Sequence, residues 1–486
     1  MKLVIPQEII NISARLVSAG HVSYLVGGSL RDLLMDRAPK DWDLATNAKP
    51  EDVQKLFPES VYENEFGTVG IKTGSAEPTL VIVEVTTFRK EEQYSDFRHP
   101  DNVEFAKTIE EDLARRDFTV NAMALDPKGD VIDPFGGAAD LKDKLIRAVG
   151  DPNIRFHEDA LRLLRAVRFA SELDFSIEKK TAEAITSNSS LLAKIASERV
   201  RDELVKLIMS PAGGARKGIE MLERFGLLQY ILPELREGID VGQNKHHVYT
   251  VWEHNLRALD YSAREGYSFE VRLASLLHDV GKPRVKQGDG ADSTFYAHEI
   301  VGAKMTVEML NRLHFSKKTI DHISHLVRNH LFYYNVGEVT AAGVRRFLNR
   351  VGPENIDDLM KVREADRIGS GVPKAVPYKL RHLKFMIEKV KSDPVSPKML
   401  AIDGGDIMDI LGVPPGPRIG WIISVLLEEV LDEPANNSRD KLEARVRELS
   451  QLTDDNLAKL SVSARERKEE FESGVEDEMK KKYYVK

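Results

Sequence analysis

The chain has 486 residues, 42% of them hydrophobic, which is enough apolar material for about three or four domains and excludes global disorder. It has no cysteine, which excludes disulfides and thiolate metal sites and fits a reducing, cytoplasmic setting. No apolar run approaches the ~18 residues of a membrane helix, the N-terminal MKLVIPQEII is too short and interrupted for a signal peptide, and a net charge of −8 argues against wholesale coating of nucleic acid while leaving room for a local basic face.

Residues 5–19 read as an amphipathic helix leading to a short apolar strand at 24–26. Gly27 and Gly28 follow, then a helix with Arg31 and Asp32 in its first turns. A loop with Pro39 and Lys40 then returns the chain to a second strand carrying Asp41, Trp42 and Asp43. Side chains two apart on a strand share a face, so Asp41 and Asp43 present adjacent carboxylates. Such a pair repels itself unless a cation sits between, and oxygen ligands suit Mg²⁺. Two glycines before a helix let the backbone approach a phosphate, with the helix N–H groups aimed at it. Either feature alone reads as an acidic turn after a Gly-rich strand end; both within about a dozen residues describe a two-metal nucleotidyl-transfer site.

Lys49 and Pro50 open a helix running to about residue 57, and residues 67–72 and 80–88 read as strands. On the second of these, Ile82, Glu84 and Thr86 share a face, so Glu84 is a candidate third carboxylate, the alternative being a rim glutamate. Residues 89–105 are polar and aperiodic and read as a mobile loop. Residues 110–125 read as one helix carrying Arg115, Arg116 and Asp117, the aspartate placed to orient the arginines or cap a turn. Asp133-Pro-Phe-Gly-Gly marks a hinge, beyond which the chain is almost wholly helical.

Residues 158–170, EDALRLLRAVRFA, read as a helix with an apolar stripe of Leu161, Leu164 and Val167. Arg162, Arg165 and Arg168 recur every three residues, and Asp159 lies one turn before Arg162. Residues 155–217 hold 12 Lys/Arg against 9 Asp/Glu, a net +3 inside an acidic chain. The plain reading is an amphipathic helix with an i,i+3 ion pair. The functional reading is base selection. A fixed carboxylate accepts from an exocyclic amine while a guanidinium donates to the neighbouring ring nitrogen or carbonyl oxygen. Cytosine and adenine both show that edge, whereas uracil turns a carbonyl oxygen toward the carboxylate and is repelled.

From residue 243 the pattern changes. His254, the adjacent His278 and Asp279 before VGKP, His298, His330 and Asp366 fall on successive helices. Imidazoles and carboxylates in this arrangement suit a divalent transition metal. A lone helical histidine is more often a core residue, but His-Asp ending a helix at a glycine is far more specific. Residues 369–377 read as a linker, 404–431 as a Pro/Gly turn feeding an apolar helix, and the charged segment from about residue 463 as a solvated helix or tail.

GGSLRD followed by KDWDLAT closely resembles the head signature of class II tRNA nucleotidyltransferases, the CCA-adding enzymes of the polymerase-β superfamily. RRDFTVNA, EDALR and SERVRDEL (197–204) resemble later motifs of the same family, the last a helix that buttresses 158–170, and the His-Asp stretch resembles the HD phosphohydrolase superfamily. The resemblance implies an α+β fold: a small mixed β-sheet head (1–136), a helical neck with a nucleotide-selecting helix (137–236), an HD domain (237–390) and a helical C-terminal body and tail (391–486). It implies addition of CCA to the tRNA 3′ end from CTP and ATP, without a nucleic-acid template. Asp41, Asp43 and Glu84 are then catalytic and hold two Mg²⁺ ions. Gly28, Arg31 and Arg116 bind the triphosphate, Asp159 and Arg162 choose the base, and Arg165 and Arg168 make further nucleotide contacts. Residues 89–105 correspond to a loop that takes part in the late switch to AMP addition. His254, His278, Asp279 and Asp366 match a first HD metal set and His298 and His330 a second, implying phosphohydrolase activity, for example on 2′,3′-cyclic phosphates. The competing readings are an enzyme adding only CC or only the terminal A, a poly(A) polymerase, and an HD hydrolase with an RNA-binding head. The poly(A) polymerases carry a basic segment where this chain reads YENEFGTVGIK.

Overall fold

The computed structural model describes residues 3–62, 67–92, 102–243, 248–391, 400–464, 466 and 482–484. The chain opens with α1 (Gln7–Ser18), whose buried Ile9, Ile12 and Leu16 repeat at the three-to-four-residue spacing that gives a helix one apolar stripe. The head continues through β1 (Ser23–Val26), α2 (Gly27–Leu34), β2 (Asp43–Thr46), α3 (Pro50–Leu56), β3 (Ser60–Tyr62), β4 (Thr68–Lys72), β5 (Ile82–Thr87), β6 (Arg89–Glu92), β7 (Asn102–Phe105), α4 (Ile109–Ala114), β8 (Ala124–Leu125) and β9 (Val131–Ile132). Seven strands form one mixed sheet in the order β3-β4-β5-β2-β1-β8-β9. β2 and β5 are parallel, with Asp43 opposite Glu84, and the remaining neighbours are antiparallel. One sheet face is sealed by an apolar cluster that includes Leu16, Leu30, Trp42, Leu44, Val53, Val83 and Val85. The period-2 alternation of the strands turns Asp43, Glu84 and Thr86 to the opposite face.

Two head expectations are corrected. Residues 89–105 are not all loop: β6 and β7 pair as an antiparallel ladder, Arg89 opposite Phe105, and residues 93–101 lie outside the described residues. Backbone pairing needs no apolar period, so a polar strand pair leaves little trace in composition. The helix expected over 110–125 is α4 alone, opened by a Thr108–Glu111 capping box and finished at Ala114. Beyond it, Thr119 N–H donates to the Arg147 carbonyl, Val149 N–H donates to the Asp117 carbonyl, and β8 pairs with β1. This tertiary pairing overrides weak helix propensity in a stretch with β-branched Thr119 and Val120.

The chain continues through α5 (Gly137–Lys142), β10 (Leu145–Ile146), α6 (Pro152–Glu158), α7 (Arg162–Leu173), β11 (Ser176–Ile177), α8 (Lys179–Ser187), α9 (Ser197–Ile208), α10 (Gly214–Arg224), α11 (Leu228–Ile231) and α12 (Pro233–Arg236). The single helix expected over 158–170 is broken. Asp159 is extended, at φ −137° and ψ 103°, and its side chain accepts from Leu161 N–H at 3.0 Å. A short Asp side chain competes with the helical ladder for backbone N–H groups, which ends α6 and lets α7 start afresh.

The remaining helices are α13 (Val251–Arg264), α14 (Phe269–Leu277), α15 (Lys282–Val285), α16 (His298–Arg312), α17 (Lys317–Asn329), α18 (Ala341–Val351), α19 (Ile356–Gly369), α20 (Tyr378–Lys391), α21 (Gly404–Leu411), α22 (Pro417–Asp432) and α23 (Arg439–Leu449). The hydroxyls of Thr250, Ser268 and Ser316 cap α13, α14 and α17. Residues 1–331 and 357–373 form one compact unit; residues 332–356 and 374–486 form a second, with its own core around Ile407, Ile422, Leu426 and Val446. Among the described residues no helix is long and apolar enough to cross a membrane.

Candidate active site and metal centre

α2 starts directly after β1, so Gly27 and Gly28 form its first turn. Gly27 has φ +70°, and a Cβ there would lie 3.1 Å from Arg116 Nη1 and 3.3 Å from Asp43 Oδ2, so both conformation and space favour glycine. Asp41 sits just before β2 rather than in it. The alternation nevertheless extends back to it: Glu84 N–H donates to the Trp42 carbonyl at 3.1 Å, and the Trp42 ring is buried on the core side. Asp41, Asp43 and, by its register opposite Asp43, Glu84 thus come together. Burial, and then the charges of Asp41 and Glu84, push the Asp43 carboxyl up to about 7 against the pull of Arg116. Three crowded carboxylates resist joint ionisation until a cation joins them, and an all-oxygen donor set fits a hard divalent metal.

The trio lines a cavity of about 1120 Å³. Eleven of its lining side chains are Lys or Arg and seven are Asp or Glu, an excess of four positive charges suited to a polyphosphate. Arg31 is fixed by Asp32 (2.8 Å) and by Asn121 (2.8 Å). Arg115 and Arg116 share the buried Asp112 at 2.7 and 3.1 Å; burial works against its charge, but the two guanidiniums prevail and hold its carboxyl below the usual range. Asp117 accepts from Arg165 at 2.8 Å and from Phe118 N–H at 2.8 Å. Burial again opposes, and Arg165 brings the Asp117 carboxyl down to about 2. Asp117 therefore orients an arginine, though one 48 residues further along.

Asp159 and Arg162 line this same cavity, but their charges are satisfied by other groups. Arg162 donates to Glu158 (2.7 Å) and to the carbonyls of Arg155 (3.2 Å) and Arg115 (3.0 Å). The Asp159 carboxylate is held by Arg199 of α9, with Nη1–Oδ1 at 3.2 Å and Nη2–Oδ2 at 2.9 Å. Arg199 is the residue that sequence reasoning leaves out; its signal is the SERVRDEL segment, which reads only as a supporting helix. Arg168 is buried between Glu203 (2.6 Å) and Glu172 (2.8 Å).

The second constellation converges from α13, the ends of α14 and α17, the start of α16, and α19. His254, His278 and Asp366 form one buried trio, and Asp279, His298 and His330 another, each with ligand atoms within 4.8 Å of one another. Asp279, expected with the first set, faces both. Its Oδ2 is 3.1 Å from His254 Nε2 and 3.4 Å from His278 Nε2, and its Oδ1 is 3.3 Å from His298 Nε2 and 3.6 Å from His330 Nε2. The Nδ1 atoms of His278, His298 and His330 lie 2.7–2.8 Å from the carbonyls of Ser275, Phe295 and Val327. A carbonyl can only accept, so Nδ1 carries the proton and Nε2 faces the cluster, the tautomer a metal ligand needs. Burial works against a charged His278 ring, but Asp279 and Asp366 outweigh it and push it up to about 10. The carboxylates thus favour a proton on His278 Nε2, and a divalent metal bound by this nitrogen–oxygen set would displace it. Gly281 lets the elements meet: a Cβ there would lie 2.3 Å from the His298 carbonyl oxygen. The cluster opens on a cavity of about 530 Å³ that also carries Lys282, Arg363 and Arg367.

A family profile for the poly A polymerase head domain matches residues 23–147, one for the probable RNA and SrmB-binding site of polymerase A matches 174–239, and one for the HD domain matches 251–369. A CCA-adding enzyme from Geobacillus sp. (strain WCH70) is 33% identical over 444 residues, covering 90% of this chain and 95% of the relative. One from Lactobacillus helveticus is 34% identical over 435 residues, 89% of this chain and 95% of the relative. Among solved structures, the Bacillus stearothermophilus CCA-adding enzyme in complex with CTP is similar, with a TM-score of 0.59 and 28% identity over 92% of this chain and 98% of that one.

Proposed function

The chain belongs to the CCA-adding enzymes, and from that premise we propose that it adds C, C and A to the 3′ end of tRNA, taking CTP and ATP as substrates and releasing pyrophosphate. The observation that carries the reading is that Asp41, Asp43, Asp159 and Arg162 line one cavity, so a single bound nucleotide can meet both the acidic trio and the base-reading pair. Gly28 and the first turn of α2 offer backbone N–H groups to the triphosphate, while Arg31 and Arg116 neutralise it. Asp41, Asp43 and Glu84 would hold two Mg²⁺ ions, which when bound would supply activation of the tRNA 3′-hydroxyl and neutralisation of the departing pyrophosphate. The 3′-oxygen bonds to the α-phosphorus as the bond to pyrophosphate breaks, and the hydroxyl proton leaves to solvent. Asp159 accepts from the exocyclic amine of cytosine or adenine, and Arg162 donates to the acceptor beside it; uracil offers no amine there. Arg165 and Arg168 complete the wall behind the nucleotide.

In the second site His254, His278 and Asp366, with Asp279, His298 and His330, would hold divalent transition metal. Lys282, Arg363 and Arg367 beside them favour an anionic substrate, which supports hydrolysis of a phosphoester such as a 2′,3′-cyclic phosphate on a damaged tRNA end.

The test is stepwise. On tRNA trimmed to its discriminator base, CTP alone is expected to give two additions, ATP alone essentially none, and both together three. Unlimited growth with ATP would assign a poly(A) polymerase, and arrest at CC with both nucleotides present would narrow the reading to CC addition.

A further inference from the structure

We infer that Lys40, Glu172, Arg168 and Glu203 form a positioning device that fixes the metal-side carboxylates relative to the base-reading Asp159, and so contributes to rejection of the wrong base. This rests on the functional reading above and deepens it.

Lys40 immediately precedes Asp41, and its Nζ lies 2.6 Å from Glu172 Oε1, 132 residues further along. Glu172 Oε2 accepts from Arg168 Nη1 at 2.8 Å, and Arg168 Nε donates to Glu203 Oε2 at 2.6 Å. Charges alternate along this line from the segment just before β2, across α7, to α9. Glu203 stands one turn after Arg199 on α9, and Arg199 holds Asp159. The line therefore runs from the residue beside one end of the site to the clamp on the other.

Burial makes the inner link stiff. The Arg168 and Glu203 side chains are 8% and 4% exposed, whereas Lys40 is 79% exposed. A buried guanidinium–carboxylate pair has one good geometry, and removing a partner strands a charge, whereas an exposed lysine pair is loose and weak. A second tie runs beside it. The Phe169 ring of α7 is faced by Arg168 at 3.9 Å, by Arg165 at 5.2 Å and by Arg31 of α2 at 5.3 Å, so the triphosphate side also rests on this helix.

The test compares CTP with UTP at the first added position on trimmed tRNA, for the wild type, Glu172→Gln, Lys40→Met and Lys40→Arg, with the melting temperature of each. Glu172→Gln is expected to lower the ratio of kcat/KM for CTP over UTP by about tenfold, the size of a coupling between contacting charges. Lys40→Met is expected to lower it by about threefold, and Lys40→Arg to restore it. A ratio within about twofold of wild type in both Glu172→Gln and Lys40→Met, with the two nucleotides falling together, would overturn the proposal in favour of a purely structural tie. Should Glu172→Gln fail to fold, Lys40→Met at its exposed position decides alone. A wild-type chain that incorporates neither nucleotide would overturn the reading of the site itself, and this inference with it.

Discussion

Arg199 grips both carboxylate oxygens of Asp159, at 3.2 and 2.9 Å, from 40 residues further along the chain. The Asp159 carboxylate, proposed above to read the base, is thus oriented from α9 as well as by the Leu161 N–H that opens α7. Arg199→Lys is expected to relax base choice by about tenfold, because an ammonium cannot meet two oxygens in a fixed fork. Steady-state kinetics with CTP and UTP on trimmed tRNA check this, and an unchanged ratio would mean that Asp159 does not read the base.

Removal of one of the crowded head carboxylates separates chemistry from stability. Asp41→Ala is expected to leave tRNA binding nearly intact and transfer below about a hundredth of wild type. Asp43→Asn is expected to lose transfer as well, yet to melt a few degrees above wild type in EDTA, since it relieves the crowding with Asp41 and Glu84. Excess Mg²⁺ is expected to reverse that order, because the wild type alone would gain full stabilisation from the ion. Calorimetry with and without the metal measures both.

Asp117 gives a pH-dependent term. Its carboxyl lies at about 2 in the folded chain against an ordinary 3.8, so the folded state binds fewer protons between those values. The contribution, about 2 kcal/mol, is fully present above pH 3.8 and fades as pH falls through 2. Asp117→Asn lacks it at every pH. Urea unfolding of the two proteins should show a stability gap that narrows from pH 5 to pH 2.5; a constant gap would assign the effect to packing.

His278→Ala is expected to strip metal from the second site and remove phosphoester hydrolysis while sparing CCA synthesis. Elemental analysis of the purified protein gives the metal content independently of any assay. Loss of both activities together would mean that the two sites are not chemically separate.

Much of the candidate site was legible in the sequence because it rests on short-range periodicity. Asp43 and Glu84 follow from period-2 alternation, and His278-Asp279 from a helix that ends at a glycine. What stayed hidden was set by partners distant in sequence. The Asp41-bearing segment joins β2 only after the first residue pair, and residues 115–125 leave the helical path because they pair with 147–149 and with β1. The break at Asp159 is capped locally by the Leu161 N–H, but the clamp by Arg199 spans 40 residues and no local pattern announces it. The apolar stripe over 161–167 is real, but an amphipathic period cannot tell one helix from two that meet at a capped corner.

The parallel pairing of β2 with β5 has an evolutionary consequence. A chain that runs from one strand to a parallel neighbour must come back to its starting end, so the path between residues 47 and 81 is a detour whose length the pairing does not sense. The largely exposed stretch at 74–77 between β4 and β5, where Gly74 holds φ +75° and faces open space, is a place for that detour to lengthen so long as Gly74 itself is kept. Relatives can accumulate insertions there, or an engineer can graft an epitope, without sliding Glu84 out of step with Asp43.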